Sequence, residues 1–111
     1  MAKNDGPALL RRFAKIDLDN PNIWRLFQRF TFEMIGRGFL HYSSDAVLHR
    51  VRWETDLTMK GNAAEHFKIS NDFSCCYARK FRDLHPTHDK FFLLRASKVD
   101  PVWVTYKRKN T

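Results

Sequence analysis

Asn71, Ser74, Cys75, Ala78, Arg79 and Arg82 fall on one side of a stretch with helical spacing, residues 70–84. Small or polar residues near a helix N-terminus allow close approach to base edges in a major groove, and long donors further along reach guanine or phosphate. Asn71 carries the donor and acceptor pair that reads adenine, while Arg79 and Arg82 carry the forked donors that read guanine or hold a phosphate. The plainer reading of the same six positions is a solvated helix face. Ser70 or Asn71 caps this expected helix, Phe73, Cys76, Tyr77, Phe81 and Leu84 form its buried side, and Pro86 stops it.

The segments after it supply further cations. Residues 91–97 and 102–108 are rich in β-branched and aromatic residues and predict a two-stranded hairpin. Arg95 and Lys98 lie near its loop, and Lys107, Arg108 and Lys109 follow its second strand. Basic residues on such a wing contact phosphates, adding affinity and salt dependence without reading sequence. Trp103 is either a core residue of the hairpin or a platform on which bases stack, and packing is the commoner use of an indole.

Other chemistry has less support. Cys75 and Cys76 are adjacent on the expected helix, where neighbouring side chains point about 100° apart and are poorly placed to bridge. Cys76 reads as core and Cys75 as nearer the surface. The five histidines, His41, His49, His66, His85 and His88, form no metal-binding signature, so a metal site or cofactor is not expected. There is no GxSxG, no Gly-rich phosphate loop and no activated-cysteine motif. The expectation is a protein without catalytic activity.

The elements that must position these residues begin with a tail, residues 1–6. Pro7 then opens a helix with Leu9, Leu10, Phe13 and Ile16 on one side. Asn20 suits an N-cap and Pro21 the first position of a second helix, about residues 21–37. Its stripe is Ile23, Phe27, Phe30 and Met34, and Gly36 and Gly38 flank its end. A third helix starts at Ser43, Ser44 and Asp45, buries Ala46, Val47, Leu48, Val51 and Trp53, and leaves Arg50 and Arg52 wet as further candidates for DNA contact. Residues 56–66 have no sustained apolar face, and residues 67–69 alternate like a short strand.

The chain has 111 residues, is 43% hydrophobic and carries a formal charge of +8, enough apolar material for one domain over residues 7–111. Residues 57–111 hold 11 basic and 5 acidic residues, against 9 and 7 in residues 1–56, so the excess concentrates in the second half. That asymmetry favours a polyanionic partner, although a merely soluble basic surface has the same composition. No apolar run of about 18 residues and no signal-peptide pattern appears, so a cytoplasmic protein with no membrane partner is expected. The apolar face of the helix at 21–37 is needed for the core of so small a domain, which argues against a membrane-surface role.

The string from His41 to Thr55 (HYSSDAVLHRVRWET), with FKISN at 67–71 and YARKF at 77–81, resembles a group of small uncharacterised proteins of bacterial and phage genomes over about residues 17–95. The resemblance implies a bacterial or phage setting and names no activity. Separately, helices followed by a basic hairpin resemble the element order of winged-helix domains, a likeness of fold.

The sequence therefore predicts a mainly α domain with a C-terminal β-hairpin, an α+β winged helix-like fold. It would bind double-stranded DNA through Asn71, Ser74, Arg79 and Arg82, with Arg95, Lys98, Lys107, Arg108, Lys109, Arg50 and Arg52 on phosphates. A homodimer would suit that role, since paired half-sites match two-fold symmetry. The alternative is a small interaction module that inhibits or modulates a host protein complex through the same basic face.

Overall fold

Asn20 and Pro21 end one helix and start the next. Helix α1 (Gly6–Asp19) closes as both the backbone N–H and the side-chain Nδ2 of Asn20 donate to the Ile16 carbonyl, at 2.9 and 3.1 Å. Asn20 thus occupies the N-cap position of α2 (Pro21–Gly36), but its side chain satisfies the preceding helix instead. The structure, a computed structural model, describes residues 6–58 and 71–109. The expected tail at 1–5, the 59–66 part of the loop and the short strand at 67–69 lie outside them. Residue 6, assigned to that tail by the sequence, is instead the first residue of α1: a Cβ on Gly6 would lie 2.0 Å from the Lys98 carbonyl oxygen, so only glycine fits there.

Helix α2 ends in a Schellman turn. Gly38 takes φ +94°, its N–H donates to Ile35 O at 3.0 Å, and the Phe39 N–H donates to Met34 O at 3.2 Å. Ser43 then caps α3 (Ser44–Thr58), its hydroxyl accepting from the Ala46 N–H at 3.2 Å. A 3-10 turn (Asn71–Phe73) leads into α4 (Ser74–Leu84), and Pro86 forces His85 out of helical conformation before a second 3-10 turn (Pro86–His88). Helix α5 (Asp100–Lys109) completes the order.

The hairpin does not form, and the α+β winged-helix expectation is overturned: the described residues hold helices and no strand. Phe91 and Phe92 are both buried, which a strand with one wet face would not allow, and the chain runs irregularly from there to Lys98. The expected second strand is α5. Its start is a capping arrangement in which the Asp100 carboxylate accepts the Ser97 N–H at 2.8 Å and the Asp100 N–H donates to Ser97 O at 3.0 Å. Pro101 follows at a position where a missing N–H costs nothing. Val99, Trp103 and Tyr106, spaced by four and three, then turn inward.

Helix α4 sits at the centre, packed on α2 and α3 and tied to α1 and α5 by side chains. Tyr77 lies between Phe13 of α1 (centroids 4.8 Å, edge to face) and Phe27 of α2 (5.4 Å). Lys80 reaches Asp17 at 2.5 Å, and the Trp103 indole N–H donates to Asp83 at 2.7 Å. Trp103 is thus a core residue of a helix, not of a hairpin.

Candidate nucleic-acid interface

The central position of α4 decides the fate of the residues expected to read DNA. Phe73, Cys76, Tyr77 and Phe81 are buried as expected, but so are Ser74, Ala78 and Arg79 on the side expected to be wet, whereas Leu84 is exposed. Ser74 donates its hydroxyl to Asp45, joining the starts of α4 and α3. Arg79 is 2% exposed and all three of its guanidinium nitrogens are engaged: Nε with Asp100 at 2.7 Å, Nη1 with the Cys75 carbonyl at 3.0 Å and Nη2 with the Arg95 carbonyl at 2.8 Å. Held this way, Ser74, Ala78 and Arg79 are closed to a groove.

The remaining expected contacts are dispersed. Arg82 pairs with Asp83 at 2.9 Å, and Lys107 approaches the same carboxylate at 3.6 Å. Burial acts to raise the Asp83 pKa, but hydrogen bonds from Arg82 and Trp103 outweigh it and hold the carboxyl below its ordinary value. Arg95 and Lys98 are exposed on the irregular segment before α5. The side chains of Asn71, Arg108 and Lys109 lie outside the described residues. Arg50 and Arg52 are on α3, with Arg50 exposed and Arg52 half-buried.

Arg50 belongs to a cationic surface that the sequence reading passed over. Arg25, Arg29 and Glu33 recur every fourth residue along α2 and Arg37 follows at its C-cap, a row of i, i+4 neighbours outside the stripe of Ile23, Phe27 and Phe30. From α3, Arg50 crosses to Glu33 and lies over the Phe30 ring at 4.1 Å. Glu33 is held below its ordinary pKa first by the hydrogen bond from Arg50, then by the charges of Arg50, Arg37 and Arg29. One carboxylate therefore stands among three arginines, with Arg25 one turn further along the same helix. Among the described residues, Arg25, Arg29 and Arg37 make no ion pair. The signal was the four-residue spacing, which the helix at 21–37 already contained.

The exposed side of α3 also carries an aromatic side chain. Trp53, expected to be buried, is 65% exposed on α3, one turn beyond Arg50. Val47, Leu48 and Val51 already fill the inward side of that helix, and position 53 falls outside their arc.

A cleft of about 670 Å³ lies elsewhere, between the start of α4, the residues leading into α3 and the chain at 92–97. Its wall includes Cys75, whose thiol donates to the Asp72 carbonyl at 3.2 Å and lies 3.9 Å from both the Cys76 sulfur and the Ser97 hydroxyl. Hydrogen bonds from Cys76 and Ser97, with the Arg79 charge, bring the Cys75 pKa down to about 6 against the opposing effect of burial. Cys76 moves the opposite way, because its hydrogen-bonded thiol and its burial both disfavour a second thiolate.

His66 lies outside the described residues, and the described histidines are no part of the hydrogen-bonded cluster around Cys75. His85 bonds Gln28 at 2.8 Å and packs on Phe81, and His41 bonds the Lys90 carbonyl at 3.2 Å. Among the described residues, no three His, Cys, Asp or Glu side chains gather as a metal site, and no helix is long and apolar enough to cross a membrane. No family model, curated protein or solved structure matches the chain.

Proposed function

We propose that this protein binds nucleic acid, without catalysis, by engaging the phosphate backbone with the α2–α3 face. The observation that carries the reading is the setting of Glu33, a single acid among Arg29, Arg37 and Arg50 on an exposed surface. Regularly spaced arginines on one helix suit a polyanion whose charges repeat, and guanidinium groups bind phosphate oxygens through paired donors. Contacts of this kind position a protein on nucleic acid without reading bases. The buried Arg79 and the missing wing remove the basis for reading a major groove, so the expected binding is weak in sequence preference.

The test is fluorescence anisotropy with labelled random-sequence oligonucleotides across a salt series. Three phosphate contacts predict an affinity that falls about tenfold or more between about 50 and 200 mM salt. Absence of binding at the low end of that range would overturn the proposal.

A protein-interaction role is favoured by one other observation. Leu40 is 83% exposed and Phe39 46% exposed, both just past the Schellman turn and beside a shallow groove that Phe91 also lines. A partner held there by apolar contact would survive moderate salt in a pull-down, unlike nucleic acid held by phosphate contacts.

A further inference from the structure

Trp53 gives the α2–α3 face something that a phosphate-binding surface does not need. An indole 65% exposed stands out beside the arginines and His49, since the other two indoles are drawn inward: Trp103 is 4% exposed, and half-buried Trp24 packs on Phe27. On α3, Trp53 stands three residues after Arg50 and four after exposed His49, so the three side chains share one side of the helix. Arg50 in turn is fixed by Glu33 and the Phe30 ring, in contact with the helix that carries Arg29 and Arg37. A flat apolar ring thus stands one turn along α3 from Arg50, the residue that joins the two helices.

Bases inside a duplex are stacked on one another, and their faces are closed to a protein ring. In a single strand those faces are free, and stacking on an aromatic side chain is tolerant of sequence because every base has a π-face. Cations near the ring then hold the flanking phosphates. We infer that the ligand of this surface is single-stranded nucleic acid, with Trp53 as the stacking platform for one base and Arg29, Arg37 and Arg50 on the neighbouring phosphates. This inference rests on the phosphate-binding reading of the same face and adds to it the strandedness of the ligand.

The experiment measures the anisotropy of a labelled 15-nucleotide oligothymidylate and of a 15-base-pair duplex with the full chain, as wild type, Trp53→Ala, Trp53→Phe and Arg29→Ala/Arg37→Ala. Circular dichroism melting checks that each variant folds. The expected result is single-strand affinity at least about tenfold above duplex affinity, a loss of about tenfold in Trp53→Ala for the single strand alone, and retention of most affinity in Trp53→Phe. The arginine double variant weakens both ligands. Equal binding of the two ligands, unchanged by Trp53→Ala but weakened by the arginine variant, would overturn the single-strand assignment and leave the phosphate surface standing. Failure of the wild type to bind either ligand would overturn both.

Discussion

Arg79 and Asp100 form an ion pair at the start of α5, Nε 2.7 Å from the carboxylate Oδ1, with the arginine 2% exposed and the aspartate 44% exposed. The other Asp100 oxygen accepts the Ser97 N–H at 2.8 Å. One carboxylate therefore caps α5 and neutralises the only cation buried in the core among the described residues. This places Arg79 in the fold's internal wiring.

Asp100→Ala is expected to destabilise the protein by about 1.5–3 kcal/mol, because it strands a buried charge and opens a helix start. The Arg79 hydrogen bond holds the Asp100 carboxyl below its ordinary value of 3.8. Its contribution is fully present above that value and is lost as pH falls through the lower, folded-state value. Asp100→Asn should therefore flatten the acid limb of stability below about pH 4, read by urea denaturation at several pH values. An unchanged acid limb would show that the pair is electrostatically idle.

Gly38→Ala is expected to cost about 1 kcal/mol, since an L-residue must take the left-handed conformation that glycine holds at φ +94°. No neighbouring atom lies within 4 Å of a Cβ built there, so the cost is one of backbone alone. Gly36→Ala, inside α2 and equally open, should be neutral or stabilising. Thermal melts of the two variants moving in the same direction would contradict the capping account.

Cys75 should react with iodoacetamide in the folded protein with a midpoint near pH 6, while Cys76, fully buried, stays unmodified until unfolding. Cys76→Ala removes the first donor to the Cys75 sulfur and should move that midpoint upward. Mass spectrometry of alkylated peptides across pH measures both effects. A midpoint that stays put in Cys76→Ala would assign the low value to Arg79 and Ser97 instead.

Tyr77 is fully buried, and its hydroxyl makes no hydrogen bond among the described residues. Burial, aided by the charge of Asp17, pushes its pKa far above the tyrosine range. Tyr77→Phe keeps the ring edge to face with Phe13 and stacked on Phe27, and deletes an unsatisfied polar atom, so stability should hold or rise by up to about 1 kcal/mol. A loss larger than that in chemical denaturation would reveal a partner for the hydroxyl.

Much of the helical frame was legible from local signals. The stripe of α2, its glycine stop, the Ser43 cap and the Pro86 stop all act within a few residues, where spacing and capping chemistry suffice. Helix α5 was missed because the β-branched and aromatic run at 102–106 reads as strand, while the competing start signal, Ser97 with Asp100 and Pro101, is equally local and proved stronger. The fate of the charges was not local at all. Arg79, Lys80, Arg82 and Lys107, all in the more basic half of the chain, approach or pair with carboxylates. In the less basic half Lys15 and Arg50 pair too, but Arg25, Arg29 and Arg37 form no ion pair among the described residues, Arg29 and Arg37 sharing only the field of Glu33. A charge count by halves therefore gave no sign of the i, i+4 row of arginines on α2. Trp53 escaped for a related reason: helix periodicity gives an inward arc but not its width, and Val47, Leu48 and Val51 were enough to fill it.

The most direct test of the account compares salt slopes for nucleic-acid binding in wild type, Arg29→Ala/Arg37→Ala and a control pair, Lys90→Ala/Lys98→Ala, which removes the same charge from outside the α2–α3 face. Losing two phosphate contacts predicts a log–log slope shallower by about 1.5 in the arginine variant, with the control close to wild type. Equal slopes in all three proteins, or equal changes in both variants, would contradict a binding face on α2 and α3.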